Sequence, residues 1–447
     1  MTRTEIPKSI LMLVFVKLFA IGLVFSSAIP ALPSTGTTFE EAISPQFSYV
    51  EDVQQTSDGG YVAGANFCSS TCYIALVVKL DSSGNIQWQK QYQSQGGSSQ
   101  LYAIRQTSDG GYIGAGDVQN SNGCSECAFV AKLDSNGNIQ WQKTYGGAQA
   151  SDIRQTTDGG YVVAGLTLPS QFGIVQAWIE KLDSSGNVQW QKALGSSNSA
   201  LANSVLQTTD GGYALAGFSG APPNVLVAKF DPSGNVKWQA LYSTSGSQGI
   251  GHSIVQTSDG GYMVGGYSYV SLQDALALKL SSGGKVQWAK TYVVSGATGQ
   301  FNSVRQTSDG GYAFSGYFYT GGYNGGYNAW IVRTDSYGNV QWQKTYGNAT
   351  AARQFQKIGV TGDGGFVAAG WTLQFNNQLE AYFVKTDSAG NVNNCNDVQS
   401  TEAVTASASL ASSSAHLSIS APTNGAVPGL ATASSTSLTL TTECSGK

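Results

Sequence analysis

One string recurs along this chain at nearly fixed intervals. Gln-Thr-Ser/Thr-Asp-Gly-Gly-Tyr places its Asp at Asp58, Asp109, Asp158, Asp210, Asp259, Asp309 and, in a drifted copy, Asp363. The successive spacings are 51, 49, 52, 49, 50 and 54 residues. A period of this size marks one supersecondary unit per repeat, and such a unit buries its apolar face only by stacking on its neighbours. Seven units therefore account for residues 38–397 as a single repeat-built domain.

Within a unit the pattern predicts four strands. A short run such as Ser303–Thr307 meets the Asp-Gly-Gly turn, whose glycines are expected to supply positive φ. An alternating run such as Tyr161–Gly165 follows, then a loop of variable length. A third strand, for example Ala177–Leu182, turns through Asp183-Ser-Ser-Gly-Asn187 into a fourth, Val188–Lys192. Seven four-stranded antiparallel units predict an all-β fold, a seven-bladed β-propeller, with an open solenoid as the alternative. Closure is favoured by the ends of the repeat array. Phe39–Ile43 stands where another unit has its Trp-Gln-Lys-Thr-Tyr strand, and the seventh unit degenerates after Gly390-Asn-Val, so the N-terminal strand completes the last blade.

The Trp at 88, 141, 190, 238, 288 and 342 holds one place in six units and reads as a blade-to-blade packing residue. The Asp of each Lys-Leu-Asp, as in Lys132 and Asp134, is suited to hydrogen-bond the turn that it opens. Charged residues are only 11% of the chain, and 23 basic against 27 acidic side chains give a net charge of −4. That balance excludes a phosphate-tracking nucleic-acid surface.

Residues 1–31 read as an export signal, with Arg3 and Lys8 ahead of the apolar stretch Ile10–Val24 and small residues at Ser27, Ala28 and Ala31. A retained N-terminal membrane anchor is the alternative. A secreted or cell-surface location follows from either. In that setting the six cysteines predict three disulfides, Cys68 with Cys72, Cys124 with Cys127 and Cys395 with Cys444. A four-thiolate zinc site from the first two pairs is the competing reading. Residues 398–447 are rich in Ser, Thr and Ala, read as a flexible tail or stalk, and alternate like a strand only at Leu438–Thr442.

The repeats QTSDGGYMVGG and KLDSSGNVQWQK resemble those of bacterial and archaeal secreted proteins built from Asp-Gly-Gly-Tyr units. The resemblance covers all seven units and implies a propeller at or outside the cell surface, with no particular reaction. Leu-Asp-x-x-Gly-Asn-x-x-Trp is also similar to the Trp-docking pattern of quinoprotein-type propellers such as pyrroloquinoline quinone dehydrogenases. Those are mostly eight-bladed, and this chain lacks the vicinal cysteines and dedicated Asp of their cofactor site. The second resemblance therefore implies shared blade packing, and no cofactor is expected.

A reacting centre should break the repeat, because a ring of equivalent groups serves structure. No nucleophile elbow, zinc-protease, phosphate-loop or EF-hand spacing is present. Counting back seven residues from each repeat Asp gives Glu51, Tyr102, Ser151, Asn203, His252, Asn302 and Gln356, a polar set expected to ring the channel mouth. From this region Glu51, Asp52, Tyr102, Asp152 and His252 are the candidate polar contacts. Tyr323, Tyr327 and Trp371, in aromatic and amide-rich variable loops, are the aromatic ones. The expectation is an extracellular or cell-surface binding or structural propeller that recognises glycan or protein through its variable-loop face. A secreted hydrolase or lyase using axial carboxylates is the alternative.

Overall fold

The computed structural model describes residues 38–44, 48–68, 73–94, 97–121, 124–167, 174–195, 198–243, 248–269, 272–321, 326–347, 351–373, 379–393 and 398–400, with six further short strands between residues 404 and 444. The expected export signal lies outside them. Each expected cysteine pairing likewise involves a side chain outside the described residues.

The strands form seven antiparallel sheets, one per repeat, which are the blades of a propeller. In blade 1 the order from the axis outward is Ser48–Gln55, Tyr61–Cys68, Tyr73–Leu80 and Ile86–Ser94. Blade 7 takes three strands from the end of the array, Ala352–Val360, Phe366–Leu373 and Leu379–Thr386. Its fourth is Phe39–Ser44, with Phe39 opposite Lys385 just as Trp88 lies opposite Lys79 in blade 1. The ring is thus closed by the N-terminal strand. Apolar clusters lie between blades: Phe39, Val50, Tyr61, Val367 and Phe383 pack together from blades 7 and 1.

The repeated residues have separate duties. In Asp-Gly-Gly only the first glycine takes positive φ, as at Gly59 (φ 81°). The second is required by crowding, since a Cβ on Gly60 would lie 2.2 Å from the Leu80 carbonyl oxygen. The turn Asp accepts the Gly60 amide at 3.0 Å and pairs with the buried Lys79 at 2.8 Å, fixing the first hairpin to the third strand. The same ion pair recurs in every blade, with Arg333 replacing Lys in blade 6. In the second turn Asp81 accepts the amides of Ser83 and Asn85 at 2.8 and 2.9 Å.

Blades are joined by three repeated contacts. Each Trp meets an aromatic ring of the next blade edge to face, from Trp88 on Tyr112 (5.6 Å) to Trp342 on Phe366 (5.7 Å). Phe39 on Tyr61 (5.7 Å) makes the closing joint in the same way. The indole also covers the turn glycine of the next blade so closely that a Cβ on Gly137 would lie 2.8 Å from Trp88. Finally, the repeat Gln reaches back to the previous turn: Gln106 accepts the Ser57 amide at 2.8 Å, and Gln55 accepts that of Gly362 at 2.7 Å across the closure. Blade 7 has Val360 at this place and cannot make the contact.

The Ser/Thr/Ala-rich segment departs from the expected stalk. Its strands begin at Gln399, Val404, Ala411, Ser418, Ala426, Ala431 and Thr439, and each pairs antiparallel with the fourth strand of one blade. The blades are visited in the order 6, 5, 4, 3, 2, 1, 7, so the segment laps the ring backwards as a belt of fifth strands. An unpaired outer strand presents a row of free backbone donors and acceptors, and the belt covers that edge in all seven blades.

Two outcomes follow for the closing joint. Phe39→Ala is expected to cost about 3–5 kcal/mol, the range for a buried Phe, in denaturant unfolding. Glu41 is buried beside Asp81, and burial first, then that carboxylate, raises its pKa from 4.5 to about 8. The fold therefore favours protonated Glu41: the stabilisation is complete below pH 4.5 and is lost as pH rises to about 8. Glu41→Gln should flatten that slope when urea midpoints are compared at pH 5 and pH 8.

Candidate functional site

The innermost strand of every blade carries a β-bulge, and the bulged residue is in each case one of the seven expected to ring the channel mouth. In blade 1 the register passes from Val50 opposite Ala65 to Asp52 opposite Gly64, which leaves Glu51 unmatched. The same shift isolates Tyr102, Ser151, Asn203, His252, Asn302 and Gln356. The bulge brings the inner strand against the second, so the facing residue must be small. Gly116 illustrates this, because a Cβ there would meet the Gln100 carbonyl oxygen at 1.8 Å.

In blades 1, 3, 4 and 5 the residue beyond the bulge reaches into the following blade. Asp52 accepts the Ile104 amide at 2.9 Å, Asp152 that of Val205 at 3.1 Å, Ser204 that of Ile254 at 3.4 Å and Ser253 that of Val304 at 3.3 Å. Two positions further, on the same side of the strand, stand Gln54, Arg105, Arg154, Leu206, Val255, Arg305 and Gly359. Arg105 is buried and bridges the two carboxylates, binding Asp52 through Nη1 and Asp152 through Nη2 at 3.3 Å. Arg154 adds a longer contact to Asp152 at 3.6 Å.

The electrostatics decide what these carboxylates can do. Burial alone would raise the pKa of Asp152, but Arg154, Arg105, Lys357 and the Val205 amide outweigh it and hold the group at about 2. It is a fixed anion at neutral pH and is poorly suited to general acid catalysis. Both Asp52 and Asp152 are fully buried, so of the expected polar contacts these two serve to join blades. Burial, then Lys357, lowers the His252 pKa to about 4, so its ring is neutral.

The remaining expected residues gather at the variable-loop end, on two sides of the mouth. On blades 1–3, Tyr102 donates to Gln100 at 3.1 Å and accepts from Gln149 at 3.0 Å, and Gln149 also reaches Asp117 at 3.4 Å. Glu51 lies close enough to raise the hydroxyl pKa of Tyr102 further, after burial and Asp117. On blades 5–7, Tyr327 contacts Tyr317, Tyr319 and Trp371 with ring centroids 5.1, 4.7 and 5.9 Å apart. All four are half-buried, and His252 sits against Tyr267 at 5.7 Å. A line of amides runs inward between these groups, from Gln273 to Gln300 (2.8 Å), to Asn302 (2.6 Å) and to the Phe355 carbonyl (2.7 Å). Tyr323 lies outside the described residues. Among the described residues the exposed large apolar side chains are Ile174 and Leu272 in variable loops, Tyr269 at the strand end that enters one, and Tyr337 at the opposite end.

Sequence reasoning missed Arg105, Arg154, Arg305 and Lys357, which converge on the axis from blades 2, 3, 6 and 7. They break the repeat as sharply as the bulged residues do, but at offsets one and three residues beyond them. Among the described residues no group of three or more His, Cys, Asp or Glu is arranged to hold a metal ion. In comparisons with known proteins, no family model matches the chain and no curated protein is significantly similar to it.

Removing Asp152 would leave the buried Arg105 with Asp52 alone and the half-buried Arg154 without its carboxylate. Asp152→Ala is expected to destabilise the ring by roughly 3–5 kcal/mol, measured by chemical denaturation.

Proposed function

We propose that this chain is an extracellular or cell-surface binding propeller whose variable-loop end recognises glycan or protein, without catalysing a reaction. The observation that carries the reading is the aromatic group Tyr317, Tyr319, Tyr327 and Trp371, which spans blades 6 and 7 beside a line of side-chain amides. Flat ring faces combined with amide donors and acceptors suit a sugar ring or a partly apolar protein patch. The exposed Ile174 of blade 3 and Tyr269 and Leu272 of blade 5 lie at the same end. Of the residues expected from sequence, Glu51, Tyr102, His252, Tyr327 and Trp371 line or flank this mouth and are its candidate contacts, and Tyr323 belongs to the same loop. Asp52 and Asp152 would act through Arg105, by holding blades 1–3 in register.

The export signal and paired cysteines expected from sequence support an extracellular setting. A hydrolase built on the axial carboxylates is disfavoured by their ion pairs with Arg105.

A glycan array and a surface-protein binding screen with the full chain test the reading. Tyr327→Ala combined with Trp371→Ala is expected to weaken the recognised ligand at least tenfold, while the melting temperature stays within a few degrees. Tyr102→Ala with His252→Ala should give a smaller loss if contact extends to the axis. Retained affinity in both double variants would move the site off this face.

A further inference from the structure

The axis holds more positive charge, one arginine buried and three cations half-buried, than its structural partners use. Arg105, Arg154, Arg305 and Lys357 face two carboxylates, Asp52 and Asp152. Both carboxylates are already committed, Asp52 to Arg105 and the Ile104 amide, and Asp152 to Arg105, Arg154 and the Val205 amide. Arg305 donates to its neighbouring Val304 carbonyl at 2.8 Å, and among the described residues neither it nor Lys357 forms a close ion pair, although Asp152 acts on both at longer range.

Bringing unpaired cations together inside a protein costs several kcal/mol per ion, and such a cost is sustained where the charge is used. The strain is visible in the protonation equilibria. Burial, with Arg105, Arg305 and Arg154 against the pull of Asp152, lowers Lys357 to about 8, and burial with Arg154 lowers Arg305 to about 10. Donor atoms are also left over: the Nε groups of the buried Arg105 and of Arg154 have no acceptor. Arg154, Arg305 and Lys357 are nevertheless half-buried, so they line water-accessible space at the axis. The tiers that hold Lys357 and the arginines are two residues apart on the inner strand, about 7 Å along the axis at ~3.3 Å per residue.

We propose that this axial cluster binds a small dianionic oxyanion of the sulfate or phosphate type, held by Arg154, Arg305 and Lys357. Four cations less two carboxylates leave two positive charges, which a dianion neutralises. Guanidinium groups match tetrahedral oxyanions through paired N–H donors, and Lys supplies a point charge. Arg105 is the positioning residue, since it is fixed to both carboxylates and orients Asp152 toward Arg154. The site stands apart from the aromatic end of the loops.

The test is calorimetric titration of the full chain with sodium sulfate at pH 7, in a low-salt buffer with chloride as the only other anion. The expected result is one sulfate per chain, and a melting temperature raised beyond that given by sodium chloride of equal ionic strength. Arg305→Met with Lys357→Met should weaken binding at least tenfold. Lys357→Met alone removes a half-buried cation that forms no close ion pair, so it should fold at least as well as the parent and still bind several-fold more weakly. Tyr327→Ala with Trp371→Ala should bind sulfate unchanged, which separates this site from the loop-face reading. N-acetylglucosamine 6-phosphate, whose ester group is close to a dianion at pH 7, is titrated in parallel and distinguishes the source. Affinity equal to that of sulfate assigns the site to a free anion, and tighter binding assigns it to the charged substituent of a larger ligand; both sustain it. Absence of saturable heat with sulfate, or equal binding by the double Met variant, overturns it.

Discussion

The contact on which this ring depends is an aromatic ring laid over a glycine turn of the next blade. A blade has no core of its own, because its side chains are shared with the blades on either side. What sets the distance and angle between blades is therefore the joint. Trp88 fits only because Gly137 has no side chain, and the Tyr92 hydroxyl donates to the Gly137 carbonyl at 2.7 Å, fixing the turn from a second direction. Edge-to-face ring pairs add roughly 0.5–1.5 kcal/mol each beyond their area burial. Seven such joints in a closed circle mean that the error of one is passed to all the others. Phe39 keeps the rule with a smaller ring, and the closing joint also has Glu41 where blades 1, 2, 5 and 6 have a Lys that bonds an Asn of the next blade, as Lys90 does Asn138. Closure is where the repeat is least strictly kept.

The bulge couples this outer framework to the axis. By adding one residue to each inner strand it turns a side chain toward the next blade, where it takes up a backbone amide. Short polar groups satisfy that duty, and Asp, Asp, Ser and Ser do so in blades 1, 3, 4 and 5. Once the geometry is set by backbone and bulge, the neighbouring positions are released from the repeat, and there the arginines, Lys357 and His252 accumulate. Function in a repeat fold resides in such released positions.

Blade number, strand order and closure were legible because the residues that enforce them recur: Asp-Gly-Gly, Lys-Leu-Asp and Trp each answer one steric or electrostatic need in every unit. The seven bulged residues were marked too, as a set at one fixed offset from the turn Asp, although the bulge itself leaves no sign beyond a glycine such as Gly116. The arginine tier was not, because the criterion of uniqueness was applied at a single offset. The ion pairs of Asp52 and Asp152 depend on which blades adjoin at the axis, and that is a property of the closed ring. The belt escaped for another reason. Its strands are two to six residues long and pair through backbone atoms, so neither alternation nor apolar content is required of them.

The direction of that belt gives the molecule an order in time. The forward lap lays down blades 1 to 7, and the return lap dresses them from blade 6 down to blade 1 before finishing on blade 7. The last strand of the lap, Thr439–Cys444, lies beside the first strand of the fold, Phe39–Ser44. During synthesis the earliest blades therefore wait longest for their outer edges, while blade 6 receives its own soon after it emerges. Shortening the chain from its C-terminal side would bare blade 7 first, then blades 1 and 2, so that each length of chain corresponds to a defined set of open edges.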